Sequence, residues 1–184
     1  MLIERATELD AKGIASVHVQ SWRETYRGII NQEFLDSLKE ESRYELWKES
    51  LKSEQNGYAY VAKNESGEIV GFASFGVERT KKFGIEAELY AIYLLDGYKG
   101  QKVGSKLFYA GLQQILKLNL KSLMVWVLNE NPSKRFYESF QPEMIAEEQI
   151  KIGTGVHKEI AYSWNDLHLL NKRLEESIKR EGVK

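Results

Sequence analysis

Between Leu95 and Phe108 the chain reads LDGYKGQKVGSKLF, with three glycines and three lysines in fourteen residues. The first N–H groups of a helix have no internal partner, and the helix dipole favours negative charge there. A glycine-rich segment ahead of a helix can therefore hold a phosphate. Gly100 and Gly104 would let a ligand approach the backbone, and Lys99 and Lys102 add positive charge beside it. A strand-to-helix turn with solvated lysines fits the same residues equally well. The segment matches neither GxxxxGK[ST] nor GxGxxG. Other chemistry is narrowed sharply. There is no cysteine, which excludes disulfides, thiolate metal sites and a cysteine nucleophile. His18, His157 and His168 lie far apart without metal-ligand spacing, so no metal is expected.

The elements that would position this loop can be read from the periodicity. LIER suits a short first strand, and Thr7 with Asp10 suits a helix start. Ala11, Ile14, Ala15, His18 and Trp22 then recur at helical spacing. NQEFLDSL reads as a short helix capped by Asn31, and Ser42 with Glu45 as a capping box for the next. GYAYVAK and EIVGFASFGV alternate around NESGE and predict a hairpin. IEAELYAIYLL is apolar on both faces, as a central strand is. Side chains of a strand alternate, so Glu86 and Glu88 are expected to share a face with Tyr90, Ile92 and Leu94. The following helix carries Val103, Leu107, Ala110, Gly111, Ile115 and Leu118 on one face.

SLMVWVL predicts a second buried strand, and NPSKRFYESF a short helix with Asn131 as N-cap and Pro132 at its first position. EMIAEEQIKI and VHKEIAYSW form a second hairpin around Gly153 and Gly155. An amphipathic helix ends the chain, with Leu167, Leu170, Leu174 and Ile178 as its stripe. The predicted class is α/β (α+β): a mixed, mostly antiparallel sheet of about seven strands with helices on both faces. The strand-helix-strand step from Glu86 to Leu128 implies one parallel, right-handed crossover.

With 184 residues, 42% hydrophobic and 29% charged, the chain suits one globular domain. The expected division is a main body over 1–164 and an amphipathic helix and tail over 165–184 belonging to the same domain. A net charge of −1 argues against a bulk nucleic-acid or membrane partner. The N-terminus lacks the apolar core of a signal peptide, so a cytoplasmic protein is expected.

Strand, loop and helix together resemble motif A of the GNAT superfamily of acyl-CoA-dependent N-acetyltransferases, [QR]xxGx[GA], here falling on Lys99, Lys102 and Gly104. NPSKRFYESF resembles the family's second motif through Asn131, Ser133, Phe136, Tyr137 and Glu138. Three departures stand out. Lys99 replaces Gln or Arg, Lys102 replaces Gly, and Gln141-Pro142 replaces Gly-Phe. If position 102 needs positive φ, a lysine there costs roughly 1–2 kcal/mol. With ordinary φ, its ammonium turns toward phosphate instead. VHVQSWRETYRGII resembles the first helix and loop of one subgroup, where they line the acceptor side.

The resemblance implies acetyl-CoA as co-substrate and an amine acceptor. The loop Lys99, Gly100, Gln101, Lys102, Val103, Gly104 and Ser105 would wrap the pyrophosphate. The strand residues Ile92, Tyr93 and Leu94 would offer backbone N–H groups to the oxyanion. Asn131 or Asn129 would meet the pantetheine amides, beside Ser133 and Phe136. Tyr137 would protonate the leaving thiolate. At ordinary pKa values of ~8.5 and ~10 that step is uphill by about 2 kcal/mol. Glu88, ahead of Glu86, would take the acceptor's proton. Trp22 and Tyr26 would line the acceptor pocket, where their rings suit a cation. Phe75, Trp126 and Tyr162 are expected in the core, and His18 as a satisfied histidine. The implied function is an N-acetyltransferase acting by direct attack in a ternary complex on a primary amine of a small molecule, protein or peptide. The alternative is a non-catalytic acyl-CoA sensor. The last helix can pack on its own subunit or on a partner, so a homodimer is a further expectation.

Overall fold

The computed structural model describes residues 1–53 and 57–180. Seven strands form one sheet: β1 (Leu2–Arg5), β2 (Tyr58–Lys63), β3 (Ile69–Val77), β4 (Ala87–Leu94), β5 (Leu123–Leu128), β6 (Glu143–Ile152) and β7 (Gly155–Trp164). Their order is β1-β2-β3-β4-β5-β7-β6. Among the described strands only β4 and β5 pair in parallel. A parallel pair needs a long connection, and it is supplied by α4 (Val103–Lys117).

The sheet is covered on both faces. One face packs against α1 (Ala11–Thr25) and α3 (Glu40–Leu51), through Ile14, Trp47, Val61 and Phe72. The other packs against α4 and α6 (Leu167–Lys179), through Phe75, Leu107, Phe108, Ile115, Leu170 and Leu174. The stripe of α6 therefore packs on α4 of its own chain. Residues 181–184 of that expected tail lie outside the described residues.

Local chemistry explains most boundaries. In the β2–β3 turn the Asn64 Oδ1 accepts from the N–H groups of Ser66 and Glu68 at 3.0 and 2.9 Å, a side-chain turn mimic. Asn31 caps α2 (Gln32–Ser37) by accepting from Phe34 N–H. Two starts differ from expectation. α3 begins at Glu40, so Ser42 and Glu45 lie inside it rather than forming a capping box. The short helix α5 is Lys134–Glu138 with Ser133 at its N-cap. Asn131 instead closes the turn before it, accepting from Ser133 N–H at 2.8 Å. The buried stripe of α4 is also broader than predicted. Phe108 and Leu112 are buried, and Leu118 is exposed at the C-cap, because α4 is covered by the sheet on one side and α6 on another.

Candidate active site

β4 and β5 pair at only three positions, Ala87 with Leu123, Glu88 with Met124 and Leu89 with Val125. Beyond them each strand keeps its other neighbour. β4 stays paired with β3 up to Leu94–Gly71, and β5 with β7 up to Leu128–Glu159. The two strands thus part inside an otherwise continuous sheet. Backbone groups of β4 from Tyr90 onward that face β5 lack ladder partners. Such groups must find another partner or water.

A β-bulge sits where the strands part. Ser74 pairs with Ala91 and Phe75 with Leu89, leaving Tyr90 as the extra residue. The bulge breaks the regular alternation expected of this strand. Ala87, Leu89, Ile92 and Leu94 pack on the α4 side, and Ala91 and Tyr93 on the α1 side. Glu88 therefore shares a face with Tyr90 and Tyr93, opposite to Ile92 and Leu94.

A cleft of about 490 Å³ runs through this gap. Val125, Val127, Phe136 and Tyr137 line it on the α4–α5 side, and Trp22, Tyr26, Tyr93 and Trp126 on the other. At its α4 end lie Lys99, Gly100, Lys102, Gly104 and Ser105. The first internal bond of α4 runs from Lys106 N–H to the Lys102 carbonyl at 3.0 Å. The N–H groups of Val103, Gly104 and Ser105 therefore have no helical acceptor. No side chain caps this helix, and its first turn holds no acidic residue. That bare positive end suits a diphosphate.

Lys102 takes the strained backbone of the two alternatives posed by the sequence. Its φ is +62° and its ψ +7°, the left-handed region. Gln141, the second glycine replacement, has φ +50°. Arg173 of α6 braces that turn, donating to the Phe140 carbonyl at 2.9 Å and to Gln141 Oε1. Lys99 is tied down as well. Its ammonium pairs with Asp96 at 2.6 Å and reaches Thr25 Oγ1 at 3.2 Å. The loop is thereby pinned to the end of α1.

Three phenols converge at the gap. Tyr137 is buried, and burial followed by the neighbouring Tyr93 pushes its hydroxyl above the ordinary range. Tyr26 is raised by burial and then by Tyr93 and Tyr137. Asn131 Nδ2 donates to the Tyr26 hydroxyl at 3.1 Å, joining the α5 side to α1. Trp22 Nε1 is buried with no acceptor in hydrogen-bond geometry among the described residues.

The expected bases are placed differently. Glu86 is exposed at the far end of β4, where its carboxylate accepts from Lys121 N–H. Glu88 is 1% exposed and held by Arg79 through Nη2, Nε and the backbone N–H. Arg79 in turn lies 4.5 Å from the Tyr90 ring centre. Neither glutamate lines the cleft. Glu159 on β7 does, as the one acidic residue among the described lining. Burial raises its pKa first, and Glu148, directly opposite on β6, raises it further. Its carboxylate makes no hydrogen bond or ion pair with another described residue.

Of the other predicted contacts, Ile92, Tyr93, Leu94, Asn131, Ser133, Phe136, Trp22 and Tyr26 line the cleft. Three do not. Val103 turns into the core, Gln101 folds back on the Gly97 carbonyl, and Asn129 is exposed with its amide oxygen on Lys134. Asn131 lines the cleft, but both ends of its amide already have protein partners. Trp126 was expected in the core and lines the cleft, with Phe83 at 6.0 Å. Phe75 and Tyr162 are buried as expected. His18 accepts from Trp47 Nε1 at 3.1 Å and is a satisfied histidine. Arg79 and Glu159 join the cleft from a loop and a hairpin distant in the chain, so no local pattern marks them, and Tyr90 joins it through the bulge.

A parted parallel pair, a bare helix end and a cleft joining two faces define an acyltransferase architecture. The chain belongs to the acetyltransferase (GNAT) family, whose profile matches residues 12–141. It is thereby an acetyl-CoA-dependent N-acetyltransferase. It is 41% identical over 166 residues to the uncharacterized N-acetyltransferase YuaI of Bacillus subtilis, covering 90% of this chain and 93% of that one. An uncharacterized N-acetyltransferase of Archaeoglobus fulgidus is 30% identical over 145 residues, 76% of this chain and 90% of its own. In fold the chain is similar to the PaiA N-acetyltransferase of Thermoplasma acidophilum, crystallised with coenzyme A. The TM-score there is 0.70 at 20% identity, over 89% of this chain and all of that one. Among the described residues no helix is long and apolar enough to cross a membrane.

Proposed function

We propose that the protein acetylates a primary amine of a small molecule or peptide by direct attack in a ternary complex, working in the cytoplasm. The observation that carries this reading is the cleft through the parted strands, with the bare α4 end at one side and an aromatic, carboxylate-bearing pocket at the other. Acetyl-CoA supplies the activated acyl group and a thiol leaving group. The α4 end, with the N–H groups of Val103, Gly104 and Ser105, holds the diphosphate. The unpaired backbone of β4, over Ile92 to Leu94, stabilises the oxyanion. Ser133 and Phe136 line the passage between them.

On the acceptor side, Trp22, Tyr26, Tyr90 and Trp126 offer ring faces to an ammonium. Glu159 attracts the ammonium and takes its proton, directly or through water, in place of Glu88. Its raised pKa makes it a better base than an ordinary glutamate. Tyr137 gives a hydrogen bond or proton to the thiolate. Burial raises the phenol, but it raises a thiol in the same dry cleft too. The gap between them therefore does not grow by the whole shift. Every group named comes from one chain, so a homodimer is not required. With a net charge of −1, nucleic acid has no part in the scheme.

A thiol-release assay over amines, polyamines, aminoglycosides and peptides tests the reading, with turnover expected on some members. Coenzyme A binding without turnover on a broad panel would turn the reading to the sensor. No binding at all would overturn both.

A further inference from the structure

A second groove of about 500 Å³ lies beside the main cleft, between α6 and the start of α4. Lys102, Ser139, Phe140 and Ser177 line both, so the two are continuous. Its charged lining is Lys102, Lys172, Arg173 and Arg180 against Glu176 alone. Arg173 is occupied by the Phe140–Gln141 turn. The side chains of Lys102, Lys172 and Arg180 make no hydrogen bond or ion pair with other described residues. Lys172, Glu176 and Arg180 recur every four residues, so they share one face of α6. Three cations in no ion-pair contact thus gather, with Glu176 as the one carboxylate of the groove, next to a helix end that is itself positive. Their mutual repulsion opposes folding and favours any anion that joins them. α6 is held there by contacts of its own, including Ser105 Oγ to Ser177 Oγ at 3.2 Å.

We infer that α6 supplies a phosphate-monoester subsite for the 3′-phosphate of coenzyme A, so that the protein selects coenzyme A over its 3′-dephospho form. The inference rests on the coenzyme A reading of the main cleft. A diphosphate at the α4 end leaves the rest of the nucleotide to emerge where the two grooves meet. The chemistry there is that of a second anion within reach of Lys102, Lys172 and Arg180. The α6 segment lies beyond residues 12–141 that match the family profile.

Calorimetric titration of the whole protein with coenzyme A and with dephospho-coenzyme A tests it, in the wild type and in a Lys172→Ala/Arg180→Ala double variant. Both residues are exposed, so the variant is expected to keep its melting temperature within a few degrees. Expected is about tenfold tighter binding of coenzyme A by the wild type, as charge-assisted contacts give. The double variant should lose most of that ratio while its dephospho-coenzyme A affinity stays unchanged. Equal affinities in the wild type, or a ratio that survives the double substitution, would overturn the inference. A thermal shift with inorganic phosphate alone as large as with coenzyme A would reassign the groove to free phosphate and also overturn it. Binding of neither coenzyme form would strike down the coenzyme A reading itself.

Discussion

Arg79 grips Glu88 with one edge of its guanidinium group: Nη2 to Oε1 at 2.5 Å and Nε to Oε2 at 3.1 Å. With the Arg79 backbone N–H, this fork occupies three of the carboxylate's roughly four acceptor sites, which lowers its capacity to act as a base. It also fixes the loop after β3 over the bulge at Tyr90. Glu88 is thereby held in an ion pair, and the cleft carboxylate without a hydrogen-bond partner among the described residues is Glu159.

Glu159→Gln should lower kcat/KM by about 100-fold, the scale of general-base catalysis. Because burial and Glu148 raise its pKa, the wild-type rate should fall on acidification at a pH above that of an ordinary glutamate. The Gln variant should lose that limb of the profile. Glu88→Gln should keep the limb and instead lower stability by about 1–3 kcal/mol, through the weakened Arg79 contact. A pH–rate profile of both variants separates the roles. An unchanged acidic limb in Glu159→Gln would return the base to another group.

Tyr137→Phe should lower kcat by about 10–1000-fold while leaving the Kd for acetyl-CoA within about twofold. The substitution removes only the hydroxyl from a buried ring. Calorimetry and initial rates on the same preparation decide it, and equal rates would remove Tyr137 from the chemistry.

Lys102→Gly should stabilise the fold by about 1 kcal/mol, since glycine relieves the left-handed backbone but gains freedom when unfolded. The same change should weaken coenzyme A binding, because the side chain lines both grooves. A higher melting temperature with a larger Kd is the expected pair of results. Unchanged or tighter binding would show that the lysine does not touch phosphate.

His18 should make stability pH-dependent in a distinctive window. Burial, then Arg43, lowers its pKa from 6.5 to about 3. The unfolded chain therefore binds a proton below about pH 6.5 that the folded state refuses. Its contribution is fully present above 6.5 and is lost as pH falls toward 3, by about 1.4 kcal/mol per unit. Denaturant unfolding at pH 7 and 5.5 should differ by about 1 kcal/mol from this group. His18→Gln should flatten that difference. Asp10 and Glu78, whose pKa values are also lowered, act only below the ordinary carboxylate range.

The order and type of elements were legible because each is a local pattern. Period-two runs gave both hairpins, period 3.6 gave α1, α4 and α6, and Asn31 and Asn64 act on backbone within four residues of themselves. The candidate phosphate loop was legible for the same reason, as strand, glycines and helix are contiguous. The acceptor side was not. Glu88 looked like a free base because nothing in AEL reveals Arg79 nine residues earlier. Trp126 looked like core because its strand is otherwise buried. A regular alternation along β4 misassigned the faces, since a bulge at Tyr90 depends on the register of β3.

The amino-acid sequence by itself determined the family, the seven strands with their crossover, and the glycine-lysine loop ahead of α4 proposed to hold a diphosphate. These follow from short-range periodicity and from which residues tolerate a turn. Only the tertiary structure decided that Lys102 is left-handed, that Glu88 is held while Glu159 is free, and that α6 brings Lys172 and Arg180 beside the loop. Those facts turn on contacts between residues far apart in the chain, whose energies depend on burial and partner geometry that no local pattern carries.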